Sequence, residues 1–152
     1  MVWKPHVTVA AVIELNDRFL MVEEETSYGP QFNQPAGHLE KNEEIITAVQ
    51  REVYEETAWH FEPEHLIAIQ LWRKTPLNPT FVRFTFSGRC HSYNPTQPLD
   101  VGIIATHWLN RDQIAEKNRD QLLRSPLVLI SIDEYLSGQR YPLSLIKSFL
   151  DN

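Results

Sequence analysis

Cysteine is nearly absent from this chain, and so is any long apolar run. The 152 residues include a single cysteine, Cys90, which excludes an internal disulfide and favours a reducing compartment. The histidines and this cysteine do not stand at the spacing of a zinc site. No apolar stretch approaches the length that crosses a bilayer, and the first residues lack the pattern of a secretory signal. Together these absences predict a cytoplasmic protein without membrane segments.

Basic charge is also scarce, with 14 Lys and Arg against 20 Asp and Glu and a net charge of −6. Passive nucleic-acid binding needs a basic surface, so we expect no nucleic-acid partner. The acidity is concentrated between Gly37 and Trp59, where six acidic and two basic side chains give a net charge of −4. Because a bound divalent cation would reverse that local field, small phosphorylated molecules remain candidate partners.

The pattern of apolar residues predicts a mixed α/β sandwich. The length and the 42% hydrophobic content suit a single domain over residues 1–152. The predicted strands cover residues 6–13, 18–23, 66–72, 80–88 and 104–109. Residues 32–37 are expected to form a loop, and helices are predicted from about Glu43, over 126–136 and over 142–150. Strands first, with one helix among them and helices late, are typical of this architecture.

Short polar signals mark the ends of several of these elements. Asn16 and Asp17 predict the turn of a hairpin between the first two strands. Asn110 or Asp112 is a candidate cap for the helix after the last strand.

Three carboxylates near the centre of the acidic segment are the strongest functional signal. Glu52, Glu55 and Glu56 stand at positions i, i+3 and i+4, so on a helix they project from one face within a turn. Carboxylates at that spacing repel one another unless a cation lies between them, and hard divalent ions such as Mg²⁺ prefer oxygen ligands. The alternative is a solvated acidic helix face without a ligand, which is the usual nature of a charge run.

The surrounding residues turn this spacing into a family pattern. The segment reads Gly37-x5-Glu43-x7-Arg51-Glu52-Val53-Tyr54-Glu55-Glu56-Thr57-Ala58-Trp59. It resembles the box of the Nudix hydrolase family, G-x5-E-x7-R-E-U-x-E-E-x-G-U with U an apolar residue. Ala58 departs from it, because the family has a glycine there, just after the helix, where a left-handed conformation is commonly needed. The resemblance implies an α/β/α sandwich with a mixed sheet and a loop–helix–loop catalytic motif.

The resemblance also implies roles for residues in and around the box. Glu52, Glu55 and Glu56 would be ligands of Mg²⁺, or alternatively Mn²⁺, together with the main-chain carbonyl of Gly37. Arg51 would brace the catalytic site together with Glu43.

The supporting acids allow more than one interpretation. Eight residues separate Glu43 from Arg51, about two helical turns, so we expect the pair to meet through other groups. Glu43 is equally suited to complementing the helix dipole. Glu40, in the loop facing the helix, is a candidate for supporting the metal ligands.

The general base is left open between two regions of the chain. Glu55 or Glu52 is the first candidate, because a box glutamate has this role in some family members. Asp100 is the reserve, because in other members an acid from a later loop acts as base. A purely local turn hydrogen bond accounts for Asp100 equally well.

Residues that bind the substrate are weakly encoded. Many relatives carry a phosphate-binding arginine after the second strand, whereas this chain has acids at residues 23–25. Arg83 is the expected substitute, with a surface ion pair as the alternative. Trp72 and Phe81 are candidates for stacking on a flat ring, although aromatic residues in strands more often belong to the core.

The resemblance extends beyond the box, because five segments are similar to one branch of bacterial phosphatases in this family. They are residues 4–10, 33–40, 95–98, 123–128 and 137–143. Members of that branch are described as nucleoside tri- and diphosphatases that also act on hydroxymethylpyrimidine pyrophosphate, an intermediate of thiamine synthesis. The resemblance therefore implies hydrolysis of a pyrophosphate ester with release of orthophosphate.

Two other functions stay open at this point. Pro76 loosely matches the proline of ADP-ribose pyrophosphatases. This match would make ADP-ribose or another nucleoside diphosphate derivative the substrate. The second is a non-catalytic Nudix-fold sensor that binds a nucleotide for regulation, although sensors usually lack box glutamates. The sequence leaves the oligomeric state open.

Overall fold

The computed structural model describes residues 1–151, and its strands form one seven-stranded mixed sheet. The strands are β1 His6–Leu15, β2 Arg18–Thr26, β3 Gly29–Asn33, β4 Ala36–His38, β5 His60–Trp72, β6 Phe81–His91 and β7 Ile103–Leu109. Five follow the order β3-β2-β1-β6-β5, while β4 lies beside β1 and β7 beside β2. β1 and β6 are parallel, and the other pairs are antiparallel.

β1 is the central strand, and its alternating side chains divide the core into two layers. On one face, Val9, Ala11 and Ile13 pack against the helix α1, Ile45–Thr57. Val12 points to the opposite face, where it packs with residues of α2, Arg111–Arg119, and α3, Leu127–Leu136. Helices therefore cover both faces of the sheet, which confirms the predicted mixed α/β sandwich.

The chain between the second strand and the box is more regular than the sequence predicted. Asn16 and Asp17 form the expected turn, both with positive φ, and β2 then diverges from β1. The edge of β1 that β2 leaves is taken by β4, with Val9 opposite Gly37. The prediction of a loop over residues 32–37 is confirmed only for residues 34–35, because main-chain pairing with β1 and β2 draws the two ends of the segment into β3 and β4.

The helix α1 begins two residues later than expected and ends on a left-handed alanine. Asn42 has φ 62° and Glu44 is extended, so the first helical residue is Ile45. Ala58 has φ 65° and ψ 10°, and its N–H donates to the Tyr54 carbonyl at 2.9 Å. The alanine thus adopts the conformation for which the family pattern uses glycine.

The next two helices follow the sequence signals. Asn110 caps α2 by accepting from the Gln113 N–H at 2.8 Å, while the Gln113 side chain accepts from the Asn110 N–H at 2.8 Å. α3 occupies the predicted segment almost completely. No helix among residues 1–151 is long and apolar enough to cross a membrane.

The predicted helix over residues 142–150 is wrong. Only a short 3₁₀ turn, Leu143–Leu145, forms there. Tyr141 bridges to Leu66 of β5 through two main-chain hydrogen bonds, so the chain enters this segment extended along the sheet. Leu143 and Ile146 pack partly buried against the core, but Phe149 is exposed, so the segment has no continuous buried stripe to stabilise a helix over its full length.

Replacing Ala58 with glycine tests the strain at the end of α1. We expect Ala58→Gly to leave the free energy of unfolding unchanged or to raise it by up to about 1 kcal/mol, because relief of the left-handed conformation offsets the lost methyl group. Ala48→Gly is the matched control, since it removes a fully buried methyl from the helix interior and should be clearly destabilising. If chemical denaturation shows the same decrease in the free energy of unfolding for both variants, Ala58 is not strained.

Candidate active site

Three carboxylates from two elements converge beside α1. One oxygen each from Glu52, Glu55 and Asp100 lies within 4.8 Å of the others. Asp100 comes from the loop before β7, and its main-chain N–H donates to the Glu55 carbonyl at 2.9 Å, which fixes the loop to the helix. The structure therefore brings the reserve acid to the box, although its distance along the chain does not mark it as a neighbour.

Glu56 lies deeper than the other helix carboxylates. It accepts a hydrogen bond from the Ala36 N–H at 2.9 Å, and burial raises the pKa of its carboxyl to about 9. Burial also raises the pKa of Glu52 to about 6, against the opposing effect of Arg51. Burial therefore disfavours the charged forms of Glu52 and Glu56, and a bound cation would offset that cost.

Gly37 brings the main chain directly against one of these carboxylates. A Cβ at this position would overlap the carboxylate of Glu52, so any side chain larger than hydrogen would displace it. Carboxylates and a main-chain carbonyl form a donor set of oxygens alone, which suits a hard divalent cation such as Mg²⁺ or Mn²⁺. The residues present fit a metal ion of that class.

Arg51 connects the acids of the box to one another. Its Nε and Nη2 bind the two oxygens of Glu43 at 2.6 and 3.0 Å, and its Nη1 lies 2.8 Å from Glu52 and 3.1 Å from Glu55. Nη2 also donates to the His38 carbonyl at 3.0 Å. Hydrogen bonding to Glu43 raises the pKa of Arg51 further, and Arg51 lowers the pKa of Glu43.

The expectation that Glu43 and Arg51 meet only through other groups is wrong. Glu43 precedes the first helical residue, so the two-turn spacing along a helix does not apply to it. Its carboxylate also accepts the Glu40 N–H at 3.0 Å, which closes the turn before α1. The Glu40 carboxylate lies 3.6 Å from Arg51 but is 65% exposed, so water weakens this interaction.

A cavity of about 1180 Å³ opens beside the carboxylates. Glu52 and Glu56 line it at one part of the wall, and Trp72 and Phe81 line another. The two aromatic rings are stacked, with centroids 6.1 Å apart and planes inclined by 28°. Since both rings are only partly buried, they present a flat apolar surface to the cavity. An organic group and a phosphate chain can therefore occupy the same cavity.

Arg83 lies on the cavity wall but is not a surface residue. It is 6% exposed, and its Nη2 donates to the side-chain oxygens of Gln34 at 2.8 Å and Asn33 at 3.2 Å. Burial lowers the pKa of its guanidinium to about 10. Its hydrogen bonds go to neutral amides, so the alternative of a surface ion pair is wrong.

A second arginine of the cavity was not predicted from the sequence. Arg124, in the loop before α3, lines the cavity and binds Glu24 at 2.8 Å. It brings a guanidinium to Glu24, in the segment where many relatives carry an arginine and where this chain has acids at residues 23–25. The sequence did not indicate the pairing of Arg124 with Glu24, because the two residues are one hundred positions apart. The sole signal was that residues 123–128 belong to a segment resembling the phosphatase branch.

The remaining polar wall also comes from residues that the sequence did not single out. Asn33 and Gln34 line or support the cavity next to Arg83, and Gln34 is anchored by donating to the Val128 carbonyl at 2.7 Å. Lys74, another lining residue, places its Nζ 4.4 Å from the centre of the Tyr28 ring. Cationic side chains and the carboxylates of Glu52 and Glu56 thus line the same cavity.

A loop–helix–loop motif that holds converging carboxylates against a mixed sheet, beside an open cavity, defines a class of hydrolytic enzymes that bind divalent metals and act on small phosphorylated molecules. The protein-family model described as the NUDIX domain matches residues 4–128. The chain accordingly belongs to the Nudix hydrolase family.

Individual relatives extend over nearly the whole chain. It is 43% identical over 147 residues to Phosphatase NudJ of Escherichia coli (strain K12), covering 97% of this chain and 94% of that protein. The same figures hold for Phosphatase NudJ of Shigella flexneri. A solved NUDIX hydrolase of Nitrosomonas europaea superposes with a TM-score of 0.91 at 46% identity, covering 96% of this chain and 98% of that one.

The pKa of Glu56 predicts how pH affects the metal-free protein. Its carboxyl has a pKa of about 9 when folded against an ordinary value of 4.5, so the folded state binds the proton more tightly. The associated stability is present below pH 4.5 and is lost as the pH rises towards 9. With a chelator present, the Tm of Glu56→Gln should therefore fall less over this range than that of the unmodified protein. If the Tm of both proteins changes equally with pH, the raised pKa of Glu56 is contradicted.

Proposed function

We propose that this protein is a Mg²⁺-dependent hydrolase of pyrophosphate esters, with nucleoside tri- and diphosphates and hydroxymethylpyrimidine pyrophosphate as substrates and orthophosphate as product. The observation that carries the proposal is the cluster of oxygens from Glu52, Glu55 and Asp100 beside a cavity large enough for such molecules. Identity of 43% over nearly the full length to Phosphatase NudJ supports the choice among Nudix substrates. We also propose that the chain works as one domain.

The metal ligands in this proposal are the three helix glutamates and the main chain at the box glycine. Glu52, Glu55 and Glu56 with the Gly37 carbonyl would hold the ion, Mg²⁺ or alternatively Mn²⁺. When bound, the ion supplies neutralisation of the phosphate oxygens and polarisation of the scissile bond. Glu56 must give up its proton to serve as a ligand, and its Ala36 hydrogen bond keeps it oriented to do so.

The protein residues position the ligands and accept one proton. Arg51 holds Glu52 and Glu55 in one orientation through Nη1, while Glu43 fixes the guanidinium through Nε and Nη2. Glu40 adds a weaker, exposed contact to Nη1. In the reaction, a water oxygen bonds to phosphorus, the bridging anhydride bond breaks, and the water proton passes to a carboxylate.

Glu55 is the first candidate for that base. Its side chain is 35% exposed, more than that of Glu52, so a water molecule can reach it. Glu52 is the other box candidate. Asp100 stands within the same cluster as the reserve.

Product analysis tests the proposed reaction directly. With Mg²⁺, we expect orthophosphate from nucleoside tri- and diphosphates and from hydroxymethylpyrimidine pyrophosphate, without addition of inorganic pyrophosphatase. The phosphate assay is run with and without that enzyme, with ADP-ribose as the comparison substrate. Phosphate that appears only when pyrophosphatase is added, or turnover of ADP-ribose alone, would overturn the proposed substrate class.

The role of Glu55 is tested by removing its charge alone. Glu55→Gln should lower kcat by about a hundredfold or more, because it weakens binding of the metal ion. The bound ion would stabilise the charge of the transition state by several kcal/mol, and each 1.4 kcal/mol is about tenfold in rate. Its Tm should stay close to that of the unmodified protein. Glu44→Gln is the matched control, since Glu44 is exposed and its side chain makes no capping hydrogen bond. Near-normal activity of Glu55→Gln would remove Glu55 from the site.

A further inference from the structure

The cavity contains a buried cation whose surroundings do not balance its charge. Arg83 is the buried arginine, and its Nη1 has no hydrogen-bond partner within residues 1–151. A buried charge normally has an anionic partner, and a buried donor without a partner is costly. Arg83 lines the cavity, but Nη1 itself is enclosed, so a ligand supplies the missing acceptor by inserting an edge atom between the side chains that cover this nitrogen.

The partners of Arg83 fix its direction and leave a second donor beside it. Gln34 accepts from Nη2 and is itself anchored to the main chain of α3, so the guanidinium is held in place. Asn33 turns its side-chain oxygen towards Nη2, which directs its amide nitrogen elsewhere. That nitrogen makes no hydrogen bond within the described chain. Two neighbouring side chains, Arg83 and Asn33, thus each keep one donor without a partner in the described chain.

The position of Arg83 in the sheet separates it from the carboxylates and places it beside the aromatic rings. Arg83 is opposite Thr8 of β1, and Thr8 is opposite His38 of β4, the residue after the box glycine. With neighbouring strands about 4.8 Å apart, the Arg83 backbone is about 10 Å from this part of the box. Phe81 is two residues before Arg83 on the same face of β6. Trp72 of β5 lies opposite Phe81.

We propose that Trp72, Phe81, Arg83 and Asn33 form a ring-binding subsite that selects flat heteroaromatic rings with hydrogen-bond acceptors on their edge. The ring lies on the Trp72 and Phe81 surface, and its acceptor atoms receive hydrogen bonds from Arg83 Nη1 and the Asn33 amide. The diphosphate then extends across β1 towards Glu52 and Glu56. This inference rests on the proposed function and replaces the expected phosphate contact of Arg83 with a contact to the ring.

A matched pair of substrates tests this subsite. Pyrimidin-5-ylmethyl diphosphate and benzyl diphosphate share shape and charge, but only the first has ring nitrogens that accept hydrogen bonds. The unmodified protein should have a kcat/KM at least about tenfold higher for the pyrimidine, because the benzyl ring leaves the buried donors without partners. Arg83→Met should lose most of this preference while changing kcat/KM for the benzyl compound less than about twofold.

The controls separate loss of the ring contact from loss of folding or of phosphate binding. Arg89→Met makes the same change on the same strand at a side chain that is 73% exposed, and should keep the preference. Arg83→Met removes a buried charge without an anionic partner but also leaves the buried Gln34 oxygen without its donor, so its Tm is measured and the kinetics are compared at a temperature where the variant is fully folded. Asn33→Ala should reduce the preference partially. Equal losses on both substrates in Arg83→Met would overturn the proposal in favour of a phosphate contact.

Binding provides a readout that does not depend on hydrolysis. Quenching of tryptophan fluorescence by each diphosphate is measured with and without Mg²⁺, and Trp72→Phe identifies the part that comes from Trp72. The pyrimidine should quench at lower concentration than the benzyl compound in the unmodified protein and at a similar concentration in Arg83→Met. If neither compound is hydrolysed but this pattern appears, the proposed reaction fails and the subsite stands. Equal quenching by both compounds in the unmodified protein would overturn the subsite.

Discussion

The fork of hydrogen bonds from Arg51 holds the acidic site together. Two of its nitrogens bind the carboxylate of Glu43, and the third lies between Glu52 and Glu55. Without a central cation, these carboxylates would repel one another and turn towards water, since each gains solvation by doing so. A planar guanidinium with several fixed donors can satisfy them simultaneously, whereas a lysine is a single point charge. The same side chain binds the His38 carbonyl, so it also ties the helix to the strand that contains Gly37.

The cavity beside this network has two chemically different walls. On one, burial disfavours the charged forms of Glu52 and Glu56, and a divalent cation would offset that cost. On the other, Arg83 is a cation held by amide oxygens next to stacked aromatic rings. A molecule with a polyphosphate end and a flat polar ring matches both walls at once. The fold determines their separation, because β1 lies between the strand of the box and the strand of the arginine.

Local sequence signals were reliable where the physical cause is local. The carboxylate spacing placed three glutamates on one helix, and the Asn110 and Gln113 pair marked the start of α2, because both depend on residues within one turn. Signals failed where the partner is distant. The segment over residues 142–150 has apolar residues, but pairing of Tyr141 with β5 keeps the chain entering it extended. Arg124 was missed for the same reason, since its acceptor Glu24 is one hundred residues earlier.

The sequence by itself determined the mixed α/β architecture and, through the resemblance of its box, the family. It also placed three glutamates on one face of α1, because acids at that fixed spacing share a helix face. Only the tertiary structure decided which residues surround them. It brought Asp100 to the helix, buried Glu56 deeply enough to change its protonation, and made Arg83 an interior cation instead of a surface one. Burial and long-range contacts arise from how the sheet packs between helices, so the spacing of neighbouring residues does not predict them.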